Sequence, residues 1–101
     1  CGPCRAEMPG IQALYNKVDK NKVVFIMLDW QEQPEKVASF MKKKNYTLPT
    51  YFFSGNIIPP QLDVASIPVT LVIDPAGNIA MRKIGEADYN SEKFITFINS
   101  L

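Results

Sequence analysis

The sequence contains no histidine and only two cysteines among its 101 residues. Two thiols without any imidazole leave too few soft ligands for a tetrahedral zinc site, which argues against a metal centre. The sequence has no excess of charge of either sign, because 11 basic residues nearly balance 10 acidic ones and give a formal net charge of +1. Nothing therefore attracts the phosphates of a nucleic acid, and we expect no nucleic-acid partner.

Long apolar runs are absent as well. No stretch reaches the roughly 20 residues that a membrane-spanning helix needs. Repeats and low-complexity tracts are also lacking, yet 47% of the residues are apolar, which suffices for a globular core and is too much for a disordered chain. We therefore expect residues 1–101 to form a single domain that is itself soluble.

What the sequence does contain is a pair of cysteines at its start, in Cys1-Gly2-Pro3-Cys4. Residues three apart lie on one face of a helix, so the two sulfurs are close enough to bridge. Cys1 would lie at the helix N-terminus, where free N–H groups and the macrodipole favour a thiolate. Pro3 suits the first turn, because its missing N–H costs nothing there. We predict that Cys1 is the nucleophile and Cys4 a buried, resolving thiol.

Cys-Gly-Pro-Cys is the redox motif of the thioredoxin superfamily. The continuation Arg5-Ala6-Glu7-Met8-Pro9 narrows the resemblance to the TlpA/ResA-like thiol–disulfide oxidoreductases of bacteria. Members of that family carry a Glu three residues after the second Cys and a Pro two residues later, and Glu7 and Pro9 match these positions. The resemblance extends over nearly the whole chain.

The resemblance implies an α/β fold of the thioredoxin type, a mixed sheet flanked by helices. In that fold a central strand runs directly into the Cys-x-x-Cys helix, and here the chain begins at Cys1 without it. We therefore expect the sequence to be a truncated piece of a longer protein whose missing part holds the central strand and an export signal or lipid anchor. Without that strand, the sheet would have a gap.

Apolar periodicity predicts the first half of the fold. A helix over residues 3–18 would bury one face, a strand over 23–28 would be buried on both faces, and a helix beginning at Pro34 would follow. Residues 51–53 would form a short extra strand. The expected apolar positions of the two helices are Ile11, Leu14, Tyr15, Val18, Val37, Phe40 and Met41.

Alternation and turn chemistry predict the second half. Residues 69–73 and 79–84 read as a β-hairpin around the turn-forming residues 74–78. Gly85 would form a bulge or approach the active-site loop closely. Asn90 or Ser91 would cap a last helix. The core positions expected on that helix are Phe94, Phe97, Ile98 and Leu101.

The dipeptide Ile67-Pro68 precedes the predicted hairpin. From the residues alone, Pro68 could be an ordinary proline at the start of a strand. The family resemblance instead implies a cis bond, which is cheap only before proline, in a loop opposite Cys1. The Ile67 N–H and C=O would then pair with an extended substrate segment.

Three further residues are candidate substrate contacts. Gly2 and Pro3 lie between the two cysteines. Trp30, on a loop after the strand over 23–28, either lines the substrate groove or packs on the sheet edge.

Glu7 is the candidate proton acceptor for Cys4. It follows Cys4 by three residues, so a partly buried carboxylate there would have a raised pKa and could take the Cys4 proton near neutral pH. The alternative is a surface Glu that pairs with Arg5 or Lys20. The assignment to Cys4 depends mostly on the family match.

Together these features predict an enzyme that exchanges dithiols and disulfides through Cys1 and Cys4, with no cofactor beyond that cysteine pair. The resemblance implies a reductase in the periplasm or cell envelope that acts on disulfides of exported proteins, such as apocytochrome c, and is re-reduced by a membrane electron donor. The alternatives are a thioredoxin-fold binding module without turnover and a disulfide-forming oxidant. A purely structural Cys1–Cys4 bridge would close too short a loop to stabilise much. The Thr-x-x-Cys of a peroxiredoxin-type peroxidase is absent.

Overall fold

A computed structural model describes residues 1–29, 33–53, 59–62 and 66–101. Three helices and two small sheets make up the described part of the chain. In chain order the elements are α1 (Gly2–Lys17), β1 (Met27–Asp29), α2 (Pro34–Lys44), β2 (Thr50–Phe52), β3 (Val69–Ile73), β4 (Ile79–Ile84) and α3 (Glu92–Asn99). The architecture is the predicted mixed α/β, thioredoxin-like fold.

The described strands form two separate pairs, which agrees with the gap expected in the sheet. β1 pairs in parallel with β2, in the register Met27 to Thr50. β3 pairs antiparallel with β4, in the register Val69 to Ile84. Among the described residues, no strand joins one pair to the other.

The strand predicted over 23–28 is shorter than expected and is not buried on both faces. Only Met27–Asp29 is a strand, and Val24, Ile26 and Leu28 are 81%, 64% and 37% exposed. Successive side chains of extended backbone point to opposite sides. Phe25 and Met27 pack against the core, so the even-numbered side chains face away from it. The prediction of a strand buried on both faces is therefore wrong, because nothing among the described residues covers the side of the run that carries Val24, Ile26 and Leu28.

The core lies between α1, α2 and the segments that follow α2 and β4. Ile11 and Leu14 of α1 are buried with Met41 of α2, Leu48 and Tyr89. The edge-on contact between Tyr15 and Phe25, with ring centroids 5.1 Å apart, joins α1 to the chain before β1. The predicted buried faces of α1 and α2 are thus the observed ones.

Gln12 holds α1 to the segment between α2 and β2. Its Nε2 donates to the Thr47 hydroxyl, and its Oε1 accepts from the Thr47 N–H, both at 2.8 Å. The N–H of Thr47 needs an acceptor, so this pairing fixes the orientation of the amide. A buried polar side chain is thereby satisfied, and α1 is fixed relative to α2.

The hairpin of β3 and β4 has the predicted bounds. Asp74 organises its loop, since its Oδ1 accepts from the N–H groups of Ala76 and Asn78 at 3.0 and 2.9 Å. Gly77 supplies the positive φ, 89°, that the turn requires. The register irregularity lies between Val72 and Ile73, so the bulge considered at Gly85 is not observed.

Ser91 caps α3, its hydroxyl accepting from the Phe94 N–H at 3.2 Å. Phe94 and Ile95 pack against the core, while Leu101 is 43% exposed. The expected core position at Leu101 is therefore wrong, because α3 ends at Asn99, two residues before Leu101.

Candidate functional site

The two cysteines lie at the N-terminus of α1. Cys1 is exposed, Cys4 is half-buried, and the two are joined as a disulfide with Cα atoms 5.3 Å apart. Cys1 is the N-cap of the helix, and the Cys4 N–H donates to its sulfur at 3.2 Å. A free N–H directed at a sulfur also stabilises a thiolate when the bond is reduced. The arrangement offers one exposed sulfur and a second that is less accessible, although Cys4 is not fully buried as predicted.

Gly2 and Pro3 form the exposed first turn between the cysteines. A Cβ added at Gly2 would meet no residue beyond its own turn within 4 Å, so no distant part of the described chain packs on this turn.

Glu7 is buried on α1, with 8% of its surface exposed. Its Oε2 accepts a hydrogen bond from the N–H of Ala87 at 3.2 Å. Burial raises the pKa of this carboxyl above its ordinary value, the Ala87 hydrogen bond lowers it, and the charge of Glu86 raises it further, so that the pKa is raised overall. A carboxyl of this kind can hold or release a proton closer to neutral pH than a solvated one.

The alternative partner Lys20 is engaged elsewhere. Its Nζ donates to the Tyr15 carbonyl at 2.7 Å and lies 4.4 Å from the centroid of the Tyr15 ring. Arg5 is exposed at the surface. Glu7 instead points to a cleft lined by Ala6, Glu7 and Gly10 of α1 and by residues 86–88.

The Ile67–Pro68 bond is cis, as predicted. Pro68 is buried, and its carbonyl accepts from the Gly85 N–H at 2.9 Å. Gly85 has a φ of 93°, a left-handed conformation that favours glycine. Of the two possibilities for Gly85, close approach to the proline loop is the one observed. Ile67 is half-buried.

Trp30, the remaining candidate substrate contact, lies outside the described residues. Its place at the groove stays a prediction.

Two buried residues that carry polar groups were not predicted from the sequence. Gln12 is 9% and Tyr89 is 3% exposed. Gln12 does fall at helical spacing beside the apolar face of α1, although polar side chains there are usually solvated. Tyr89 lies between β4 and α3 without any periodic pattern, and its burial depends on contacts distant in sequence.

Among the described residues, no three His, Cys, Asp or Glu side chains come together as metal ligands. The described helices are each too short or too polar to cross a bilayer.

The model of the AhpC/TSA family matches residues 1–82, which include both cysteines, the cis-proline and most of the hairpin. The chain belongs to the AhpC/TSA family. Within it, the predicted resemblance to ResA-like proteins of the thioredoxin superfamily is confirmed.

Several named relatives are similar over most of the chain. Thiol-disulfide oxidoreductase ResA from a strain of Bacillus cereus is 33% identical over 86 residues, which are 85% of this chain and 50% of that protein. ResA of Bacillus anthracis is 31% identical over the same shares of the two chains. Sporulation thiol-disulfide oxidoreductase A of Bacillus subtilis (strain 168) is 30% identical over 84% of this chain and 53% of that protein. The chain thus spans about half the length of these relatives.

Proposed function

We propose that residues 1–101 form one domain of a thiol–disulfide oxidoreductase whose reacting groups are Cys1 and Cys4. The observation that carries this proposal is the exposed Cys1, disulfide-bonded to a half-buried Cys4 at the N-terminus of α1. The buried Glu7 one turn further along adds a proton acceptor. The names of the relatives, thiol-disulfide oxidoreductases, support the same activity.

The proposed exchange balances without another cofactor. In the reduced domain, the Cys1 thiolate attacks one sulfur of a substrate disulfide, and the other substrate sulfur leaves as a thiolate that takes up a proton. Cys4 then loses its proton and attacks the Cys1 sulfur of the mixed disulfide. The Cys1–Cys4 bond forms, the substrate leaves as a dithiol, and two electrons have passed from the domain to the substrate.

Glu7 is the proposed acceptor of the Cys4 proton. It lies on the same helix face, one turn from Cys4, and its raised pKa suits a base that works closer to neutral pH. Its burial keeps the carboxyl away from bulk solvent. The Ala87 N–H holds one of its oxygens in place.

The substrate is proposed to be a disulfide in an extended protein segment. That segment would lie across Gly2 and Pro3 and pair with the backbone of Ile67, as an added strand pairs with a sheet edge. Family resemblance supports a reductase in the periplasm or cell envelope, with exported proteins such as apocytochrome c as substrates. A membrane electron donor would then reduce the Cys1–Cys4 bond again.

The test is the reduction potential of the Cys1–Cys4 couple in the natural full-length protein, measured against glutathione and dithiothreitol buffers. A reduction potential close to that of thioredoxin, about −270 mV, would support a reductase. A value close to about −120 mV would indicate a disulfide-forming oxidant, and the direction proposed here would be wrong. If the Cys1–Cys4 couple could not be reduced and reoxidised at all, the domain would be a binding module without turnover, and the proposal of an enzyme would be wrong.

A further inference from the structure

Gly85 follows the last residue of β4, and its backbone is bound to the cis-proline loop. Its N–H donates to the Pro68 carbonyl at 2.9 Å, one residue beyond the last pair of the hairpin at Ile84. The chain bends at Gly85 with a φ of 93°, which L side chains rarely adopt. A Cβ there would meet nothing within 4 Å, so the backbone conformation, and not a lack of space, is what favours glycine.

Two residues further along, the same segment reaches the proposed base. The Ala87 N–H donates to Glu7 Oε2 at 3.2 Å. Two residues span at most about 7 Å of extended chain, so the hydrogen bonds of Gly85 and Ala87 lie close together. The backbone of residues 85–87 thus joins the loop proposed to bind the substrate to the carboxyl proposed to take the proton.

The far side of this segment is held against α1. Lys17 Nζ donates to Asn90 Oδ1 at 2.8 Å. Gly10 allows close approach, since a Cβ at that residue would lie 3.8 Å from Asp88 Oδ1. Because the segment is bound at both ends, a different conformation at Gly85 would have to displace one of the hydrogen bonds beside it.

The hydrogen bond from Ala87 also matters for the charge of Glu7. Glu86 and Asp88 line the same cleft as Glu7, and both are acidic. Tyr89 also interacts with Glu7, but its pKa is raised above its ordinary 10.0, so it stays neutral near neutral pH. The cysteines do not titrate while they are disulfide-bonded. Ala87 supplies the one hydrogen bond to this carboxyl among the described residues, and a donor favours the ionised form.

We propose that Gly85 is a positioning residue for Glu7: its left-handed bend directs the Ala87 N–H at the carboxylate, while its own N–H holds the cis-proline loop. This inference rests on the proposed exchange, in which the ionised carboxylate receives the Cys4 proton. An alanine at residue 85 disfavours the bend. The N–H of Ala87 then turns away from Glu7, and the carboxylate loses its donor.

The test is Gly85→Ala in the natural full-length protein. The Glu7 carboxyl is titrated in the oxidised protein by ¹³C NMR. We expect its midpoint to rise by about 0.5 to 1 pH unit, because the ionised form has lost a donor. In wild type, the amide protons of Gly85 and Ala87 should move with the Glu7 midpoint, and Glu7→Gln should abolish both movements. That measurement decides the matter if Gly85→Ala does not fold: amide protons that ignore the Glu7 titration overturn the inference.

The hairpin loop supplies a matched control in Gly77→Ala. Gly77 has a φ of 89°, and a Cβ there would also meet nothing within 4 Å. The substitution should therefore strain the backbone as much as Gly85→Ala does, yet leave the Glu7 midpoint unchanged. Gly85→Asn should shift the midpoint less than Gly85→Ala, because asparagine tolerates the left-handed region, as Asn45 does here with a φ of 59°. Equal shifts in Gly77→Ala and Gly85→Ala would mean a general loosening of the fold and would overturn the inference.

A kinetic measurement asks whether Gly85 acts through Glu7. The rate at which Cys4 resolves a preformed mixed disulfide on Cys1 is followed against pH. Gly85→Ala should move the midpoint of this profile upward together with the Glu7 titration. The double variant Glu7→Gln with Gly85→Ala should show the profile of Glu7→Gln alone. A further shift in that background would show that Gly85 acts by another route, against the inference.

The outcomes for this inference and for the proposed function can be told apart. An unchanged Glu7 titration in Gly85→Ala overturns the inference even if the melting temperature falls, and a reversible cysteine couple would still support the oxidoreductase. A shifted titration in a protein without a reversible couple supports the link between Gly85 and Glu7 and refutes the oxidoreductase.

Discussion

The backbone N–H of Cys4 donates a hydrogen bond to the sulfur of Cys1 at 3.2 Å. Cys1 therefore caps α1 in the way that a Ser or Asp side chain caps other helices. The sulfur that we propose as the nucleophile thus accepts from a backbone N–H that the helix must satisfy in any case. One residue would therefore serve both the proposed exchange and the helix end.

Replacing either cysteine should separate the two halves of the exchange. Cys1→Ser should lower the rate of disulfide reduction by on the order of 10³-fold or more, because the attacking thiolate is gone. In Cys4→Ser, Cys1 should still attack the substrate disulfide, but no second thiol remains to resolve the product. This variant should therefore accumulate a mixed disulfide between Cys1 and the substrate. Mass spectrometry of the protein after incubation with a disulfide peptide measures that adduct. If Cys1→Ser formed the adduct and Cys4→Ser did not, the two roles would have to be exchanged.

Glu7→Gln should change how stability depends on pH in the oxidised protein. The pKa of Glu7 is raised from its ordinary 4.5. The contribution of Glu7 to the free energy of unfolding is fully present below its ordinary pKa and is lost as the pH rises through its raised, folded-state pKa. Between these two pKa values the folded state holds more protons than the unfolded state, so stability falls as the pH rises. Denaturant titrations from pH 4 upward should therefore show wild type losing stability relative to Glu7→Gln.

Glu86→Gln is the control for that experiment. It removes a charge that raises the Glu7 pKa while leaving the carboxyl in place. The loss of stability should be smaller and end at a lower pH than in wild type. Parallel pH profiles for wild type and Glu7→Gln would mean that the carboxyl is not perturbed.

Two glycine substitutions should change the stability of the fold in opposite directions. Gly85 has a φ of 93°, so Gly85→Ala should destabilise the fold by about 1–2 kcal/mol. Gly10 lies inside α1, and a Cβ there meets nothing closer than 3.8 Å, so Gly10→Ala should stabilise by up to about 1 kcal/mol. Urea denaturation of the two variants side by side tests both. A stabilising Gly85→Ala would contradict the left-handed conformation.

Gln12→Ala should loosen the junction between α1 and the chain after α2. It removes both hydrogen bonds to Thr47 and leaves a partly buried N–H without an acceptor, at a cost of about 1–3 kcal/mol. Asn16→Ala is the matched control, because Asn16 accepts only one bond from Gln12 and is exposed. Thermal unfolding should show a clearly larger loss for Gln12→Ala. Equal losses would mean that Thr47 is not held by the amide.

Features set by neighbouring residues could be predicted from the sequence. The hairpin of β3 and β4 has the expected bounds, because turn residues at 74–78 determine a local geometry. The cysteines come together for the same reason, since four residues of one helix turn suffice to bring them within reach. The cis bond before Pro68 was recognised only through the family motif.

Features that depend on distant contacts could not be predicted. Nothing in the run from Val23 to Leu28 shows that alternate side chains would be exposed, because that depends on what pairs with or covers the strand. The buried amide of Gln12 finds two of its hydrogen bonds at Thr47, 35 residues away. Tyr89 is buried because the chain after β4 turns onto α1. Sequence periodicity contains no information on such encounters.

The hydrogen bond from Ala87 to Glu7 joins residues 80 positions apart. A chain synthesised from its N-terminus therefore presents both cysteines long before Ala87 leaves the ribosome. Until the last segment docks, Glu7 is an ordinary solvated acid, and closing so long a loop is a late step. A partly made chain would carry the cysteine pair while the Glu7 carboxyl is still solvated, so the proposed base forms only after the segment around Ala87 has docked.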